Sequence, residues 1–278
     1  MMLLTNRALF VIERNLNSDL SLERIAGYCE VSRFHLAHAF GESIGLSVMD
    51  YVRGRRLTEA AYALATGAGN ILNVALDSQY SSHEAFSRAF KAKFGRTPEE
   101  VRETETVNGL KLVNAIRHLE SKAMKLKEPR IERVGELLFV GLNEHVAYAE
   151  MQSIAGQWQR FMSSFYGDID HKLAEPPVGI TTGSDENGID YVCAAGVSTF
   201  GRVPKACIKV TLAPAVYAVF AHDGHVTQLR ETYNAIWNDW FPKSSRTPAE
   251  APGFERHNST FDPRTGNGGV TIWLPINT

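Results

Sequence analysis

One pattern occurs twice in this chain, and it leaves few folds open to the first hundred residues. LSLERIAGYCEVSRFHLAHAF (Leu20 to Phe40) is echoed by NILNVALDSQYSSHEAFSRAF (Asn70 to Phe90), about fifty residues further on. Ala26 matches Ala75, Ser32 matches Ser82, Leu36 matches Phe86 and Phe40 matches Phe90. Each copy runs on to a glycine and a small hydroxyl residue, Gly45 with Ser47 and Gly95 with Thr97. A short helix, a tight turn and a second helix with an exposed face is the arrangement that fits a DNA major groove. Two copies on one chain supply the two-fold reading that other chains reach by dimerising.

The 278 residues are enough for two domains, and a hydrophobic fraction of 44% is that of a globular protein. No apolar run reaches the roughly 18 residues of a membrane span, so no membrane partner is expected. The first residues hold an acid and an amphipathic spacing rather than a leader's apolar block. Cys29, Cys193 and Cys207 form no CxxC pair and leave an odd one over. They point to a reducing, cytoplasmic setting and to no thiolate metal site. The net charge of −2 is unusual for a nucleic-acid binder. The basic residues cluster locally, however, as Arg53, Arg55 and Arg56 and then Arg88, Lys91, Lys93 and Arg96.

Helical spacing predicts helices over 5–16, 21–29, 32–40 and 47–65, two more across the second copy, and another opened by Pro98. Residues 104–127 are charged and helical in pattern, which predicts a helical linker over 108–128 between domains at 1–107 and 129–278. Beyond Pro129, strands are expected at 130–134, 137–142, 178–182, 189–197, 207–220, 254–257 and 270–275, with helices at 151–166 and 226–240. Strand–helix–strands given twice suggests a duplicated α+β domain behind an all-α tandem helix-turn-helix domain.

Residues 8–103 resemble the AraC family DNA-binding domain. The resemblance rests on Ser32 with His35-Leu36, Phe40 with Gly45, Arg56-Leu57 with Ala60, and the run Phe86, Arg88, Phe90-Lys91, Phe94-Gly95, Thr97-Pro98. Residues 129–276 resemble the GyrI-like small-molecule-binding domain through Tyr217 to Phe220, His222, Gly224, Trp237 to Pro242, Pro252 to Glu255, Phe261 to Pro263 and Ile272 to Pro275. Where the AraC family usually has a turn glycine, this chain holds Glu30 and Gln79. If the backbone there has φ > 0, each costs on the order of 1 kcal/mol.

On the first recognition helix, Leu36 and Phe40 belong to the core, and Phe34, Ala37 and His38 are expected outside. That face either meets thymine methyls and one acceptor edge or only positions the chain on phosphates. On the second, Arg88 can bond guanine bidentately and Glu84 can accept from cytosine, with His83 at the helix start. The alternative is an Arg88–Glu84 pair on the helix surface. Arg33, Arg53, Arg55 and Lys91 are read as phosphate contacts or a solvated face.

The GyrI-like resemblance implies an aromatic pocket with one acid for cations, and Glu255 stands in that place. Tyr148, Trp158, Tyr191 and Trp273 are candidate walls, with core packing the alternative for each. For Glu255 the alternative is an ion pair with Arg256 or a lysine. His222-Asp223-Gly224-His225 lacks the further ligands of a metal site. No metal, cofactor or catalytic residue is expected. The expected partners are double-stranded DNA bound by one chain, an amphipathic or cationic effector, and RNA polymerase. Some GyrI-like domains hydrolyse reactive small molecules, and Glu255 with Tyr191 could supply that chemistry. A fused DNA-binding domain favours sensing over turnover.

Overall fold

The structure is a computed structural model that describes residues 3–67, 70–116, 126–185, 187–262 and 265–277. Two compact units emerge, Met1–Leu36 with Leu46–Glu120, and Ala37–Gly45 with Ser121–Thr278. No helix among the described residues is long and apolar enough to cross a membrane.

In the first unit, α1 (Leu4–Arg14) buries Leu4, Ala8, Leu9 and Ile12, the one-turn spacing of an amphipathic helix. The two motifs are α2 (Leu22–Tyr28) with α3 (Arg33–Ile44), and α5 (Ile71–Asp77) with α6 (His83–Phe94). The long α4 (Val48–Ala65) joins them and α7 (Pro98–Thr104) follows. Equivalent side chains cap equivalent helices. The Ser32 hydroxyl accepts from His35 N–H, and that of Ser82 from Ala85 N–H. The turns also agree. Val31 N–H reaches Ala26 O at 3.2 Å, and Tyr80 N–H reaches Ala75 O at 2.9 Å. That 6→1 bond requires a left-handed residue just before its donor. Glu30 at φ 56° and Gln79 at φ 65° fill the place, as the missing glycines imply. Leu57, Leu64, Ile71, Phe86, Phe90 and Phe94 form the core beneath the second motif.

The expected linker helix is not found in its described part. Residues 110–116 and 126–128 are non-helical, and 117–125 lie outside the described residues. Residues 113–116 instead run along α4. Val113 N–H donates to the Thr58 hydroxyl and Ile116 N–H to that of Tyr51. Bonds to tertiary partners replace the i→i−4 bonds that a charged, helix-prone pattern suggested.

The second unit holds an eight-stranded antiparallel sheet in the order β1-β6-β8-β7-β3-β4-β2-β5. The strands are β1 (Arg130–Val134), β2 (Leu137–Ala147), β3 (Val178–Ser184), β4 (Gly188–Val197), β5 (Cys207–Leu212), β6 (Ala215–His222), β7 (Gly253–His257) and β8 (Val270–Pro275). Two strand–helix–strand–strand halves meet where β7 pairs with β3, and they exchange leading strands. β1 pairs with β6 of the second half, and β5 with β2 of the first. The single strand expected over 207–220 is two strands, because Pro214 between them lacks an N–H for a ladder. Helix α8 (Ile154–Ser164) follows β2. After β6 comes α9 (Leu229–Ala235), which widens into a π-turn at Ile236–Trp240.

Side chains alternate across the sheet. Val140, Leu142, Tyr191, Cys193 and Ala195 share one face with Phe161 of α8. Phe139, Ile180, Val192, Tyr217, Phe254 and Trp273 pack together on the other.

Candidate functional site

On α6, Phe86, Phe90 and Phe94 fill the core stripe, which turns Glu84, Arg88 and Lys91 outward at i, i+4 and i+7. All three are exposed. Glu84 is held below the usual carboxylate range by its own backbone N–H and the Ser82 hydroxyl, so it is an acceptor at neutral pH. His83 is half-buried, with Nε2 3.2 Å from Glu99 Oε1 of α7. In α3, Arg33 is exposed and Phe34 half-buried. Ala37 and His38, expected on an open face, are only 6% and 7% exposed. They lie within the second unit, where the His38 ring stacks on Trp237 at 5.0 Å. A single helical period marks a face, but it does not say which partner covers it.

The arginines of α4 also differ from expectation. Arg53 is exposed and bonds Asp50 at 2.6 Å. Arg55, read as a phosphate contact, is buried. Its guanidinium bonds Glu13 at 2.9 Å, Glu59 at 2.8 Å and the Val113 carbonyl at 3.0 Å. Arg56 binds the Leu16 and Ser18 carbonyls after α1. Helical phase separates these neighbours by about 100° each, so a run of like charges divides between core and solvent.

The sheet builds the second candidate site on its α8 face, at the seam of the halves. Register sets Glu255 of β7 opposite Gly179 of β3, which is opposite Cys193 of β4. Glu255 Oε2 accepts from the Tyr191 hydroxyl at 3.0 Å, and Oε1 from the Tyr233 hydroxyl of α9 at 2.8 Å. Burial raises the pKa of Glu255, while the two hydroxyls and His222 oppose it in part. Both phenols are pushed far upward by burial and by the Glu255 charge, so they stay protonated donors. The indole N–H of Trp158 also bears on Tyr191, and its ring stands edge-on to His257 at 5.7 Å. Burial lowers the pKa of His257, which stacks on Phe261 at 4.0 Å. Tyr148 is buried in the same cluster.

One sequence expectation changes here. Trp273 is not a wall beside Glu255. It pairs in register with Phe254 and stacks on it at 5.1 Å on the opposite face, because alternation sends neighbours 254 and 255 opposite ways. Arg256 shares that opposite face, over the Phe254 and Trp273 rings and 3.6 Å from Glu175, so it is no partner of Glu255. The ring nitrogens of His222 serve the fold. Nε2–H donates to the His225 carbonyl at 3.1 Å, and Nδ1 accepts from the Thr232 hydroxyl at 2.7 Å. Tyr233 and Gly179 were missed. The signal for Tyr233 was its spacing of three and four residues from the apolar Ile236 and Trp237 on one helix face; for Gly179, a glycine inside a strand run.

Residues 127–277 match the GyrI-like small molecule binding domain, and residues 25–104 match a helix-turn-helix domain. The first match spans more than half of the chain. The chain belongs to the GyrI-like family. The chain is 23% identical to the transcriptional regulator Rob of Salmonella typhimurium over 94% of this chain and 92% of that protein. It is 36% identical to the HTH-type transcriptional activator AarP of Providencia stuartii, over 34% of this chain and 70% of that protein. A solved structure, SAV2435 bound to tetraphenylphosphonium, is 23% identical over 54% of this chain and 94% of that chain, with a TM-score of 0.45. This GyrI-like chain is a DNA-binding transcription regulator of AraC type with a small-molecule-binding domain. Its regulator relatives favour sensing over the hydrolase reading.

Proposed function

We propose that this regulator senses an amphipathic or aromatic cation at Glu255 and reads DNA bases through α6. The observation that carries the ligand half is the partner set of Glu255. It is buried, its oxygens accept from two tyrosines, and no lysine or arginine among the described residues bears on its titration. A buried carboxylate whose only supports are two phenols and a histidine is costly to ionise, and a bound cation reverses that cost. Trp158, Tyr191, Tyr148 and His257 supply the aromatic surroundings.

Arg88 and Glu84 are the base readers, with His83 at the helix start. Lys91 and Arg33 of the two recognition helices are backbone contacts that set position, and Phe34 offers an apolar ring to thymine methyls. One chain occupies one site through its tandem motifs, and RNA polymerase is the partner that turns occupancy into regulation. Full-length wild type and Glu255→Gln, titrated with tetraphenylphosphonium and with neutral triphenylphosphine oxide, test the ligand half by tryptophan fluorescence. Selective loss of the phosphonium is expected. Equal affinity of both proteins for it would show Glu255 to be structural.

A further inference from the structure

Tyr191 and Glu255 do not sit on neighbouring strands, for β3 runs between β4 and β7. The residue of β3 between them is Gly179, in register with both Cys193 and Glu255. Tyr191 leans diagonally from its own partner, Thr181, to cross the sheet at that glycine. A Cβ added to Gly179 would overlap the Tyr191 hydroxyl oxygen, lie 2.6 Å from its Cζ and 3.2 Å from its Cε2. Real Cβ atoms do not approach so closely. Gly179 lies outside the left-handed region, so the backbone does not itself require glycine. The requirement comes from the tyrosine.

We infer that Gly179 is a positioning residue, whose missing side chain lets the Tyr191 hydroxyl reach across β3 to Glu255. The inference needs the cation-site reading only for its binding arm. Any side chain at 179 lifts the phenol off β3 and breaks the bond to Oε2, leaving Tyr233 as the remaining hydroxyl donor. Tyr191 then ceases to lie over the centre of the site.

The test uses the full chain with ¹³C-labelled glutamate carboxyls, the Glu255 signal being assigned by its loss in Glu255→Gln. In Gly179→Ala the Glu255 titration should move upward, and in Tyr191→Phe it should move the same way, since each removes one donor. Added to Tyr191→Leu, Gly179→Ala should produce no further movement. At a pH below both midpoints, Gly179→Ala should weaken tetraphenylphosphonium binding on the order of tenfold, the value of about one pK unit. A Gly179→Ala chain that titrates like wild type overturns the inference, as does an equal shift in both backgrounds. If Gly179→Ala fails to fold, recovery of folding in the Tyr191→Leu background supports it, and failure there overturns it. A wild type that binds no phosphonium ends the cation reading, while the carboxyl titration still decides the glycine.

Discussion

The Tyr233 hydroxyl of α9 donates to Glu255 Oε1 at 2.8 Å, so a helix and the middle of the sheet meet at one carboxylate. With Tyr191 on Oε2, each carboxylate oxygen holds a donor of no net charge. The group is therefore hydrogen-bonded but not neutralised. That state favours a ligand bringing charge over one bringing further hydrogen-bond donors.

Stability should fall as pH rises through the titration of Glu255. Burial raises its folded pKa above the unfolded value. Between those two values the native state binds more protons than the unfolded chain, so raising pH favours unfolding. The groups bearing on it are Tyr191, Tyr233, His222 and Glu42. Glu42 belongs to the same unit and is itself raised to about 7, by burial first, with Arg230 opposing and Glu255 adding. The urea midpoint of wild type should drop relative to Glu255→Gln as pH climbs above the ordinary carboxylate range and through the raised titration of Glu255. Phosphonium binding should strengthen over the same range. A constant midpoint difference would mean that the acid is ionised throughout and its burial ineffective.

Arg88→Ala should lower specific DNA affinity by about 1–3 kcal/mol and relax one base-pair preference. Its exposed place on α6, one turn after Glu84, motivates this. Sites selected from a random pool, re-measured with single base changes by anisotropy, decide it. Uniform weakening across all sequences would reduce Arg88 to a phosphate contact.

Glu30→Gly should stabilise the chain by about 1 kcal/mol, since glycine removes the Cβ strain at φ 56°. Gln79→Gly should gain less, because the Gln79 amide donates to the Asn17 carbonyl at 2.7 Å. Denaturant midpoints of the two variants give the comparison. A loss of stability in Glu30→Gly would show that the side chain contributes a bond of its own.

Arg55→Ala should destabilise by about 3 kcal/mol, because it leaves Glu13 beside a buried gap without its cation. Arg53→Ala should be nearly neutral, its pair with Asp50 being exposed on both sides. Salt dependence of DNA binding supplies the second readout. A change in slope with little change in stability for Arg55→Ala would return that residue to the phosphate contacts.

The sequence by itself determined the paired motifs, their caps, the left-handed turn residues and most strands. Each depends on neighbours within a few residues: a hydroxyl three positions before an N–H, a period of 3.6 or of 2, a glycine after a helix. It also placed Glu255 and Tyr191 together, through family likeness rather than spacing. Tertiary structure decided which like residues part company. Arg53 and Arg55 differ only in the side of α4 they occupy, and Trp273 and Glu255 only in strand parity across a ladder. Residues 113–116 gave up a helix because bonds to Tyr51 and Thr58 were available. Tyr233, Gly179 and Tyr191 meet at one carboxylate because three separate segments converge on it. Local pattern fixes direction along the chain, but a site joining distant strands and a helix exists only once register and curvature bring them within a hydrogen bond.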